Sequence, residues 1–219
     1  MATKLERISR LAVETSRSIS KCMENEKRMA GDYTIVRSMR IGEAEIVLGQ
    51  KITPDGAEYL VANRESNGIF AAYTECLVSE DYAEMIKEYG KRVSESAEAV
   101  LSEHTFMKEN GVPMELITDF ERISHDDNIE GKIVVLNPDS LRSEYRSQGY
   151  QLMLCEGGFG SHPNSHGTAC YCTDLFRGRH SRFERYDIIG TVPEDRLPEW
   201  AKQGLSRIKQ AKAIKHEAR

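Results

Sequence analysis

The stretch from Tyr150 to Tyr186, YQLMLCEGGFGSHPNSHGTACYCTDLFRGRHSRFERY, constrains the fold of this chain more than any other. It reads as strand, long glycine-rich loop, strand, tight turn, strand. The loop holds Gly157, Gly158, Phe159, Gly160, Pro163, Asn164 and Gly167. Three of the five cysteines bracket it, and arginines crowd the turn that follows. No catalytic signature is legible in it.

The rest of the chain supplies what such hairpins pack against. Leu5, Ile8, Leu11, Ala12, Thr15, Ile19 and Met23 recur three or four apart and predict an amphipathic helix over residues 1–30. Its apolar stripe needs a cover, from its own domain, another copy or a different protein. From Tyr33 the period shortens. Tyr33–Met39, Ala44–Leu48, Glu58–Ala62 and Ile69–Leu77 read as an antiparallel meander, punctuated by Gly42, Pro54-Asp55-Gly56 and Ser66-Asn67-Gly68. Ser79 is placed to cap a long helix that ends near Asn110-Gly111. Met114–Phe120 alternates like a strand, Lys132–Leu136 is a continuous apolar strand, and Pro138-Asp139-Ser140 opens a short helix through Arg146. Ile188–Val192 reads as a last strand before a helical, basic tail. The fold class expected is α+β: a meander with its covering helix over 31–112, a glycine-loop, mainly antiparallel domain over 113–200, and flanking helices at 1–30 and 201–219.

Charge and sulfur narrow the function classes. A net charge of −5 excludes a uniformly basic nucleic-acid binder but leaves room for local basic patches. No apolar run approaches the roughly 20 residues that span a bilayer, so no membrane partner is expected. Glu6 and Glu14 weigh against a transit peptide. An odd number of cysteines points to reduced thiols and a cytoplasmic protein. No cofactor is implied by any motif.

Three constellations carry chemical potential. Cys155, His162, His166, Cys170 and Cys172 offer zinc-type ligands, yet their spacing fits no standard knuckle. Cys170 and Cys172 also share one face of a strand. Buried free cysteines with loop histidines are the alternative, and no metal is expected. Gly157, Gly158 and Gly160 could converge backbone N–H groups on an anion, or merely permit a wide loop. Gly157, Gly158, Phe159, Gly160, Asn164, Gly167, Thr173 and Asp174 are therefore the candidate ligand-binding set. Arg177, Arg179, Arg182 and Arg185 are the candidate nucleic-acid-binding set, with Phe183 as a stacking platform. A charged edge strand protected from aggregation explains the same residues.

Several segments resemble an uncharacterised region of Firmicutes conjugative and integrative elements, which also occurs inside very large helicase or methylase polypeptides. They are IVLGQ, EYLVANRESNGIF, YTE, DYAEMIKEYGKRV, GKIVVL, LRSEYR, QLMLCEGGFG, PNSHGTACYCTDL, RFERYDIIGT and LPEWA, and the similarity runs roughly from Tyr33 to Ala201. In that region the positions of His162, His166 and Cys170 are often filled by residues that do not bind metal. The resemblance implies accessory work in DNA transfer or evasion of host defence. The function it favours is an interaction protein that binds nucleic acid or a nucleoprotein partner, with the N-terminal helix as a possible surface for a protein partner or self-association. The alternative is a nucleotide- or nucleic-acid-processing enzyme with its site at the glycine loop, where Asp174 and His166 would take polar roles. A pocket joining that loop to several ionisable side chains would mark the enzyme, and a flat basic hairpin the binder.

Overall fold

The computed structural model describes residues 28–66 and 71–217, so the expected N-terminal helix up to residue 27 and the Asn67-Gly68 turn lie outside the described residues. The protein is α+β: two antiparallel sheets, a long helix packed on the first, and a C-terminal helix. Contacts divide it into two units, one ending at Ser96 and one beginning at Ala97. The division falls inside the long helix, whereas the sequence reading put it after residue 112.

The first unit is a curled five-stranded meander, β1 (Met29–Ala30), β2 (Tyr33–Ile41), β3 (Ala44–Thr53), β4 (Gly56–Ser66) and β5 (Ala71–Ser79), each strand paired with its predecessor. Met29 and Ala30, expected to close a helix, instead pair with Thr34 and Tyr33. Ile46, Val47 and Leu48 are all buried, which is possible only because both faces of β3 are covered. Ile46, Leu48 and Val61 pack against Met85, Tyr89 and Val93 of α1 (Tyr82–Glu109), while Val47, Leu60 and Ala62 pack with Ala30, Tyr33 and Tyr73. The cap of α1 is Asp81, not Ser79. The Asp81 carboxylate accepts from the N–H groups of Ala83 and Glu84, and Ser79 Oγ accepts from Asp81 N–H. At the other end Gly111 takes φ +72°, and Val112 N–H reaches back to Met107 O, the glycine stop expected from sequence.

Glu45 is buried between two guanidinium groups, accepting from Arg28 at 2.5 Å and Arg64 at 2.7 Å. Burial alone raises its pKa, but the hydrogen bonds and charges of Arg28 and Arg64 outweigh burial and lower it. A depressed carboxyl pKa contributes stability that is fully present above the unfolded value of 4.5 and is lost as pH falls through the folded value. Glu45→Gln is therefore expected to lower stability at neutral pH and to flatten the acid limb below about pH 4.5. Urea midpoints of both proteins from neutrality down to acid pH check this, and parallel curves would refute it.

The second unit holds β6 (Glu121–Arg122), β7 (Ile133–Leu136), β8 (Leu152–Gly157), β9 (Ala169–Asp174), β10 (His180–Glu184) and β11 (Ile188–Val192) in the order β10-β9-β8-β7-β11-β6. All neighbours are antiparallel. Alternation along β7 and β8 sends Ile133, Val135, Leu152 and Leu154 to one face, where Trp200, Ala201 and Leu205 of α3 (Glu199–Glu217) cover them. Val134, Leu136, Met153 and Cys155 go to the other face, with Ile129 and Ile188. A one-turn helix α2 (Gln148–Gln151) leads into β8.

Two expected elements differ. Of the Met114–Phe120 strand only the adjoining Glu121–Arg122 pairs, because Met114, Ile117 and Phe120 meet the core at a spacing of three, not two. The buried side chain of Gln151 accepts from Ile117 N–H at 2.9 Å, the bond a neighbouring strand would have supplied. The helix expected from Pro138 to Arg146 is two single 3-10 turns, Pro138–Ser140 and Ser143–Tyr145.

Candidate functional site

The glycine loop begins at a bulge between Cys155 and Gly157 and turns over at Gly158, which takes φ +109°. A Cβ at Gly158 would sit 2.3 Å from Ala169 O, and one at Gly160 would sit 2.2 Å from Thr168 O. These glycines let one backbone press on another. The N–H groups of Ser161, His162 and Gly167 donate within the loop, to Gly158 O, Phe159 O and Ser165 Oγ. Close packing thus accounts for the glycines that an anion nest would also have required. Phe159 is 75% exposed at the loop surface, and Asn164, at φ +53°, donates its N–H to His125 O.

The three sulfurs form one buried group. Cys155 and Cys172 are register partners, and Cys170, two residues before Cys172, points the same way. Hydrogen bonding with Cys170 and then Cys172 lowers the Cys155 pKa against the opposing effect of burial, with help from Gly157 N–H and the Arg185 charge, while the Cys170 S–H itself lies 3.7 Å from Thr168 O. The Cys170 and Cys172 thiols are pushed up, first by that same hydrogen bonding and then by burial. His162 and His166 stay exposed on the loop, His162 lying 3.7 Å from the Glu130 carboxylate. Among the described residues no group of three or more His, Cys, Asp or Glu side chains is arranged to hold a metal.

The turn after β9 is built on Asp174, which is 1% exposed. Its carboxylate accepts from Arg177 N–H, from Arg177 Nε at 3.2 Å and from Arg179 N–H at 3.2 Å. Arg177 is thereby drawn inward, where it also meets Glu103 at 3.0 Å and lies over the Tyr150 ring. Arg185 is drawn inward too. Its guanidinium donates to the carbonyls of Gly160, Ser124 and Asp127. Of the four arginines read as a nucleic-acid surface, Arg179 and Arg182 are the exposed pair, and Arg182 is 2.6 Å from Glu184. Phe183, read as a stacking platform, packs instead against the buried cysteines.

Strand alternation separates the expected ligand set. Thr173 and Arg177 line a cavity on the α3 face, whereas Gly160, Gly167 and Arg185 line one on the cysteine face. The second of these has a volume of about 330 Å³ and is closed by Ser124, His125, His162, Ser165, Tyr186 and Ile188. Burial in a wall made of carbonyls leaves Arg185 a cation without a carboxylate in hydrogen-bonding range among the described residues. Two imidazoles, three hydroxyls and the Tyr186 ring, 73% exposed, surround it. The sequence reading missed Ser124, His125 and Tyr186. Residues 124–128 carry no local sign of a site because Asp127 and Ser124 cap the loop's own N–H groups, and the bonds joining it to Arg185 are long-range. No family model, curated protein or solved structure matches this chain.

Proposed function

We propose that the chain binds a phosphate-bearing nucleotide, or the end of a nucleic-acid strand, in the 330 Å³ pocket beside the glycine loop, and processes it there. The observation that carries this reading is Arg185: a buried guanidinium at a pocket wall, held by neutral carbonyls, with no carboxylate in hydrogen-bonding range among the described residues. Tyr186 offers a ring face for a base, and His125 and His162 bring imidazole nitrogens to the same pocket. The mobile-element setting implied by the resemblance supplies strand ends and nucleotides, and an accessory role in DNA transfer is part of the proposal.

A second reading places binding on the β9–β10 edge, where Arg179 and Arg182 face outward and the Tyr171 and His180 rings stack at 6.0 Å. One set of titrations separates the two, using labelled oligonucleotides with a terminal phosphate, and free mononucleotides as competitors. Tyr186→Ala is expected to weaken binding about tenfold, as loss of one stacked base does. Arg179→Ala with Arg182→Ala is expected to leave affinity unchanged. Should only the double variant lose affinity, with the salt slope falling by about 1.4–1.8, the edge strand is the site and the interaction-protein reading holds. No binding by wild type at low salt removes both.

A further inference from the structure

The cavity on the α3 face is larger, about 490 Å³, and its chemistry is different. Leu175, Phe176 and Ile208 make its floor apolar, and Glu156, His180, Arg207 and Lys212 carry its charge. Glu156 bridges two elements: one carboxylate oxygen accepts from Lys212 Nζ at 2.8 Å and the other lies 2.9 Å from His180 Nδ1. Thr173 Oγ1 is 3.3 Å from the same nitrogen, and the Tyr171 ring lies parallel to the imidazole. A carboxylate at Nδ1 holds the ring proton there, which leaves Nε2 as the acceptor. Burial works to raise the Glu156 pKa, but hydrogen bonds from Lys212 and Thr173 and the charge of Lys212 lower it. Arg207 is exposed and anchored by a 3.1 Å bond to Phe176 O. Arg177 also lines the cavity, but Asp174 and Glu103 match its charge. With Glu156 set against Lys212, the guanidinium of Arg207 is the surplus charge.

We propose that this cavity is a binding site for an organic anion with an apolar body and a hydroxyl group. The body lies on Leu175, Phe176 and Ile208, the anion meets Arg207, and the hydroxyl donates to His180 Nε2. The site is separate from the glycine-loop pocket, and its chemistry does not depend on that pocket's ligand. Binding of the fluorescent probe anilinonaphthalene sulfonate, with hydroxyphenylacetate and phenylacetate as competitors, tests it. Arg207→Ala, a change at an exposed side chain, is expected to weaken the probe about tenfold, the loss of one charged hydrogen bond, with partial rescue in Arg207→Lys. Ile208→Glu, which puts a carboxylate into the floor, is expected to abolish binding. Tyr186→Ala, in the other pocket, leaves it unchanged. Wild type should prefer hydroxyphenylacetate over phenylacetate, and His180→Ala should erase that preference. Wild-type affinity in both Arg207→Ala and Ile208→Glu would overturn the site, and a preference that survives His180→Ala would overturn the role of the imidazole.

Discussion

Gly204→Ala is expected to destabilise the second unit by about 1–3 kcal/mol, the usual cost of overpacking. Helix propensity alone gives the opposite sign, since alanine is favoured over glycine inside a helix by up to about 1 kcal/mol. Packing decides the sign because a Cβ at Gly204 would sit 1.8 Å from Leu175 O and 2.8 Å from Leu175 C, both backbone atoms with little freedom to retreat. Gly90→Ala in α1 is the control. Its Cβ would meet nothing within 4 Å, so it should gain stability. Urea midpoints of the two variants should move in opposite directions, and a rise in both would mean that α3 is not pressed onto the turn at Leu175.

Asp174→Ala should cost more, about 3–5 kcal/mol, as breaking a buried ion pair from one side does. It removes the acceptor of two backbone N–H groups and leaves the inward-turned Arg177 with Glu103 alone. Asp174→Asn keeps an oxygen for the turn but loses the charge, and falls between. Chemical unfolding followed by far-ultraviolet circular dichroism measures both. A midpoint for Asp174→Ala within error of wild type would return Asp174 to the list of groups available to a ligand.

Those two residues also show where sequence stops being informative. The strands β8, β9 and β10 and the meander were legible because their signals are local: alternation, Gly42 at φ +60°, and the Pro54-Asp55 turn. Asp174 read as a candidate polar group because nothing nearby in sequence announces that it is spent on its own turn. Arg177 read as a surface cation because one of its carboxylate partners, Glu103, lies 74 positions earlier. Met114–Phe120 read as a strand because a two-residue alternation and a three-residue core spacing coincide over so short a run. Only the position of Gln151 tells them apart. The glycine loop was legible as a segment, but the pocket beside it is also lined by Ser124, His125 and Tyr186, and Ser124 is tied to it by an Arg185 bond that spans 61 positions.

The order of strands in the second sheet also sets a schedule for assembly. In the meander every strand pairs with the one before it, so each closure spans a short loop. β7 instead lies between β8 and β11, and β11 arrives only after the whole excursion through β8, β9 and β10. During synthesis the first sheet can form strand by strand, while Ile133-Val134-Val135-Leu136, buried on every residue in the finished protein, waits with one edge open. Four consecutive apolar residues with an unpaired edge are the kind of segment that pairs with another chain. The second edge of β7 stays open to such pairing until Ile188–Val192 is available to cover it.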